Sequence, residues 1–360
     1  MAKITFNNKK GDFYPTLKEK VNAYFEQTGK KKTGNWAIYH KALVLFAILI
    51  ACFGMVLFGD FSNGIKLFMC GIMGLVSASI GFNVMHDACH GSYSENSTFN
   101  DVMGLSLNVL GGIAYFWKQK HNIIHHTYTN VDGVDDDIAK LPTIRHCETQ
   151  QWYPAHKVQH LYLPFLYMIS SLFWIFFMDF QKYFKRKIYT TKAWKMNSKE
   201  KVIFWVTKIY YVAVWVILPI SLFGFGPWLA GFMVMHAVMG FTLGVTFQLA
   251  HVVENTHFYE GYADNKIDEE WAITQVLTTA NFARKNHLVN WFVGGLNFQI
   301  EHHLFPRISH THYPEISEIV KQHCEEYGVP YNDNPTMWKA VKSHFKMMKI
   351  FGQEPQLAAG

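Results

Sequence analysis

Residues 42–59, ALVLFAILIACFGMVLFG, are almost wholly apolar over a length close to the thickness of a bilayer's hydrocarbon. No other feature constrains the fold as much. In lipid, a segment must satisfy its own backbone N–H and C=O groups, so such a run is a helix. Similar runs recur at 65–85, 203–222 and 228–250. Two more are flawed: 103–117 carries the pair Gly111-Gly112, and 161–179 carries Pro164 and precedes a basic tract, Lys182 to Lys195. The expected fold class is therefore an all-α integral membrane protein. About four transmembrane helices are expected at 42–59, 65–85, 203–222 and 228–250, with interfacial helices at about 103–117 and 161–179. Only 17% of residues are charged, against about 25% in soluble domains.

Residues 1–41 contain the run Lys30-Lys31-Lys32 and form a basic N-terminal segment. The excess of positive charge places this segment on the cytoplasmic side. The membrane domain is expected to cover 42–320, and 321–360 to form a cytoplasmic helical segment. An even number of crossings returns the chain to the cytoplasmic face after 65–85 and again after 228–250.

Histidines gather where the chain returns. Of 19 in the sequence, seven fall in three short windows: His86-Asp87-Ala88-Cys89-His90, His121-Asn122-Ile123-Ile124-His125-His126, and Gln299-Ile300-Glu301-His302-His303. On a helix, His121 and His125 share a face, and His126 lies about 100° round from His125. Each window alone also fits helix-end or loop histidines. All three fall on one expected side of the membrane, and His251 ends the last apolar run on that side too. Eight imidazoles are enough for two metals with open positions. Imidazole suits zinc, copper, iron and nickel alike. Asp87 and Glu301, with Gln299 beside them, are placed to accept the second ring N–H of a ligand and fix its tautomer.

Other classes fit less well. A net charge of +6 without dense basic patches does not suggest a nucleic-acid partner. The five cysteines form no CxxC pair and read as reduced packing residues. The N-terminus lacks the apolar core of a secretory signal. A zinc-binding membrane receptor or hydrolase would use about three ligands and leave the other histidines unexplained. A bis-histidine haem protein would carry its ligands inside the spans.

The order HDxxH, HxxxHH, QxxHH, with apolar runs between, resembles the three histidine boxes of the membrane fatty acid desaturases. The flanking residues strengthen the likeness: Gly91-Ser92 after the first box, Thr127-Tyr128-Thr129-Asn130 after the second, and Gly294-Gly295-Leu296-Asn297-Phe298 before and Leu304-Phe305-Pro306 after the third. The resemblance runs from about residue 40 to 320. It implies a di-iron centre using O₂ as co-substrate to remove two hydrogens from adjacent methylenes. The implied ligands are His86, His90, His121, His125, His126, His302 and His303, with His251 matching the isolated histidine of the last span. Gln299 resembles the front-end group, which desaturates between an existing double bond and the carboxyl end, such as delta-6 or delta-5 enzymes. Some desaturases of other regiochemistry share it. A delta-9-type desaturase and a lipid hydroxylase on the same scaffold are the alternatives.

No HPGG motif of a fused cytochrome b5 is present, and 41 leading residues are too few for that domain. The expected electron donor is therefore separate, a cytochrome b5 or a ferredoxin with its reductase. The substrate is expected to be a fatty acyl-CoA or acyl lipid in a bent apolar tunnel. Gly81, Phe82, Tyr115, Phe116 and Trp291 are candidates to line that tunnel, with ordinary packing as the plainer reading.

Overall fold

The computed structural model describes residues 4–8, 11–139, 142–260 and 266–355. Among these, five helices are long and apolar enough to cross a membrane: Trp36–Phe58, Asn63–His90, Pro154–Lys185, Ser198–Phe223 and Phe225–His251. Trp36–Phe58 has 23 residues, about 35 Å at the helical rise and sufficient for a hydrocarbon core. It begins inside the stretch assigned to the N-terminal segment, because Asn35 caps it by accepting from the Ala37 N–H at 2.9 Å. Asn197 likewise caps Ser198–Phe223, accepting from the Glu200 N–H at 2.8 Å. That helix turns straight into Phe225–His251 at Gly224, whose φ of 78° needs no side chain.

Helix crossings depend on missing side chains. Gly74 lets Asn63–His90 lie against the Met235 backbone of Phe225–His251. A methyl at Gly240 would come 2.5 Å from the Tyr167 carbonyl oxygen of Pro154–Lys185. Small residues of this kind allow close approach where lipid supplies no hydrophobic drive between helices.

The 161–179 run is part of a longer helix of 32 residues. Both of its ends touch the histidine-bearing side. Near its start, Gln159 donates to the Arg145 and Met348 carbonyls at 2.9 and 2.7 Å. Near its end, the Lys182 ammonium lies 3.5 Å from Asp136. The expected helix at 103–117 is instead three short ones, Ser97–Gly104, Ser106–Val109 and Ala114–Lys118. The chain breaks at Gly111, whose φ of 100° no helix accommodates.

A cap covers one end of the bundle. Phe13–Thr28 packs Phe13, Leu17, Val21 and Phe25 against Ile316 and Val320 of Tyr313–Glu326. The boundary expected at residue 320 therefore falls inside a helix, one that the core holds in place. Met337–Phe351 is also part of the cap, with His344 buried between the Tyr167 hydroxyl and the Val252 carbonyl. Short parallel strand pairs tie distant loops together. Val131–Asp132 pairs with Tyr259–Glu260, joining the segment after His126 to the one after His251.

Candidate metal centre

Two of the histidine windows lie on or directly after π-helical turns, Gly81–Met85 before His86 and Gln119–His125 around His121. Such turns rotate the following side chains out of α register and are frequent at functional sites. The third window is the short helix Gln299–Leu304. Before it, Gly294 lies against the Phe82 carbonyl, where a Cβ would sit at 2.6 Å.

The fold brings all eight sequence-identified histidines into one buried cluster. His86, His90, His121 and His302 point ring nitrogens to within 4.8 Å of one another, and so do His125, His251 and His303. His126 forms the wall between these cups. Its Nε2 is 3.2 Å from His121 Nε2 and 3.0 Å from His302 Nε2.

The back of several rings is anchored. His125 Nδ1 lies 3.0 Å from Asp135 Oδ2, and His303 Nδ1 lies 2.9 Å from Gln275 Oε1. His302 Nδ1 meets the Tyr313 hydroxyl at 3.2 Å. The front is not anchored. Buried nitrogens of His86, His90, His125, His126, His251 and His303 have no hydrogen-bond partner among the described residues. Leaving so many polar atoms unsatisfied is costly, and a bound cation would satisfy them together. Burial, followed by the neighbouring imidazoles, holds His121, His126, His302 and His303 well below the usual histidine range. They are neutral, the form that ligates metal. For His125, burial acts downward, but Asp135 and Asp137 outweigh it and raise the ring.

The residues expected to support the ligands lie elsewhere. Asp87 is 3.7 Å from His86 Nδ1. Its Oδ2 instead accepts from His310 Nδ1 and Ser309 Oγ, both at 2.9 Å. Glu301 accepts from Asn281 Nδ2 and the Tyr331 hydroxyl, both at 2.8 Å, and burial pushes it up to about 7. The reason is helical geometry: neighbours in sequence point about 100° apart. Gln299 lines a cavity beside His86 and His121. The supporting residues that sequence reasoning missed are Asp135, Asp137, Gln275 and Tyr313. Asp135 and Asp137 stand in the acidic tract that follows the second histidine window, and no spacing rule ties them to His125.

That cavity, about 300 Å³, starts at Lys120, Asp137 and Lys182, passes His86 and His121, and continues between apolar helices to Ser77 and Met239. Gly81 and Phe82 line it, whereas Tyr115, Phe116 and Trp291 do not. Asn130 closes the back of the site. Its amide donates to the carbonyls of His251, His257 and Thr278 at 2.9, 3.1 and 3.2 Å.

A helical membrane bundle with clustered neutral imidazoles beside an apolar tunnel defines a class of lipid-modifying oxidoreductases. Comparison with known proteins agrees: the fatty acid desaturase family model matches residues 63–335, and the chain belongs to that family. It is 35% identical to the sn-1 linoleoyl-lipid 6-desaturase of Arthrospira platensis, over 99% of this chain and 97% of that protein. It is 37% identical to the acyl-lipid (8-3)-desaturase of Physcomitrium patens, over 95% of this chain and 72% of that protein. A fungal acyl-lipid (8-3)-desaturase, from Mortierella alpina, is 32% identical over 96% of this chain and 78% of its own length. Family membership implies an acyl lipid substrate and a separate electron donor.

Proposed function

We propose that the chain is a front-end acyl-lipid desaturase, placing a cis double bond on the carboxyl side of an existing one. The observation that carries this reading is the buried cluster of unpartnered imidazole nitrogens, which meets the apolar cavity at His86. The names of the relatives support the regiochemistry and the lipid-bound substrate.

His86, His90, His121 and His302 would hold one iron and His125, His251 and His303 the other, and His126, grouped with His302 and His303, would be a further ligand between them. Two irons bound there would activate O₂, the chemistry that an unactivated methylene requires. The protein's own residues supply position and dryness. Phe82, Trp117, Leu243 and Phe247 wall the cavity and hold a flexible chain against His86 and His121. Lys120 and Lys182 stand at its polar end, suited to the phosphate or ester oxygens of a lipid. Asp135 and Gln275 accept ring N–H groups and keep the opposite nitrogens of His125 and His303 free. The cluster faces the cytoplasm, and Pro154–Lys185 begins and ends on that side, with Gln159 on the cap and Lys182 beside Asp136. This leaves an even number of crossings between His126 and His251. The electron donor, a cytochrome b5 or a ferredoxin, docks on the same face.

The test is the fatty-acid profile of an expressing host fed linoleate, with double bonds located by mass spectrometry and metal measured on purified protein. A new double bond on the carboxyl side and about two irons per chain are expected. Zinc alone, or a hydroxylated product, overturns the reading.

A further inference from the structure

A second apolar cavity lies at the opposite end of the bundle. It occupies about 470 Å³ between the two helical hairpins. Its floor is Met73 and Met235, and its mouth is at Asn63, Lys66 and Phe223. Met73 is thirteen residues before His86 on the same helix, about 20 Å along the axis. The cavity is thus separate from the histidine cluster.

Two polar groups in its walls lack a hydrogen-bonding or acidic partner among the described residues. Trp215 lines the cavity and is 8% exposed, and its indole Nε1 has no hydrogen-bond partner among the described residues. An orphan N–H in a hydrocarbon setting is costly. Lys66 stands over the Phe223 ring at 4.7 Å and has no acidic partner among the described residues. The apolar inner walls offer a water few of the polar partners it needs. Within a bilayer the adjacent occupant is a lipid chain.

We propose that this cavity is a binding site for an anionic phospholipid, separate from the substrate tunnel. One acyl chain lies between the hairpins down to Met73 and Met235. The headgroup phosphate pairs with Lys66, and an ester oxygen accepts from the Trp215 indole. Charge decides the class of lipid, since a cationic mouth without an acid favours a net negative headgroup. The site braces two hairpins that otherwise meet across a void.

The full chain, extracted in mild detergent, is titrated with dioleoyl phosphatidylglycerol or dioleoyl phosphatidylcholine and read by native mass spectrometry. Phosphatidylglycerol is expected to bind about fivefold more tightly, the effect of one lysine near a lipid surface. Lys66→Gln removes that preference. Ala230→Phe fills the cavity from its wall and lowers retention of both lipids. Product formation is measured in parallel, so lost lipid binding with intact desaturation separates this site from the proposed activity. Equal binding of both lipids by the unmodified chain overturns the proposal. So does unchanged retention in both variants, or a second copy of the chain held at this face in place of lipid.

Discussion

The Asp87 carboxylate receives the Nδ1–H of His310 at 2.9 Å, although its sequence neighbour is a metal-ligand candidate. The Lys41 ammonium donates to the other face of the same ring, 3.0 Å from Nε2. A lysine, a histidine and an aspartate, all buried, therefore join Trp36–Phe58, Asn63–His90 and the cap.

Replacing His310 by leucine leaves Asp87 and Lys41 buried without their bridge. Breaking a buried ionic array costs about 3–5 kcal/mol. His310→Leu is expected to lower the unfolding temperature in detergent. Adding Asp87→Asn to it should cost less than the two single losses summed. Strict additivity would show that the two side chains are not coupled.

Asp135→Ala removes the acceptor behind His125. Loss of such a partner weakens metal affinity by about 10- to 100-fold. Iron retained after dialysis should fall in this variant and stay unchanged in the surface variant Asp101→Ala. Equal iron content in Asp135→Ala and unmodified protein would remove Asp135 from the supporting set.

Burial lowers His146 and His344 to about 4 in the folded chain. Their ordinary value is about 6.5. Between these values the unfolded chain binds protons that the folded chain does not, so stability falls as the pH drops from about 6.5 toward 4. Each group contributes a slope of about 1.4 kcal/mol per pH unit in that window. Unfolding followed from pH 7.5 to 5 should show the loss, and His146→Phe should reduce the slope. An unchanged slope in that variant refutes the assignment.

Ser77 lines the cavity beside His86, nine residues before it on the same helix, about 14 Å along the axis. Ser77→Phe shortens the space available to the chain. In competition assays, turnover of longer acyl chains should fall more than that of shorter ones. A uniform decrease would place the chain terminus elsewhere.

Gly240→Leu drives a side chain into the Tyr167 backbone. Overpacking of this kind costs about 1–3 kcal/mol. Membrane yield should fall, while Gly54→Leu, with open space at its Cβ, should leave it unchanged.

The apolar runs and histidine windows were legible because each depends on local pattern alone. Length and hydropathy mark a helix that lipid will accept, and all eight histidines come together in the fold. Features set by tertiary direction were not legible. Asp87 and Glu301 looked like ring partners because they adjoin ligands in sequence, yet a helix turns neighbours away from each other. Asp135 and Gln275 reach the rings from a loop and from the helix Trp271–Leu277, which no spacing linked to them. The 103–117 stretch read as one helix because its apolar content outweighed Gly111-Gly112. The 161–179 run concealed a longer element because its polar ends pack on protein, Gln159 on the cap and Lys182 beside Asp136.

The position of His126 has a consequence for assembly. Its ring borders both groups of imidazoles, so filling one cup fixes a wall of the other. The two cups are then coupled: protein given half the metal it can hold should contain fewer singly occupied molecules than independent filling would give.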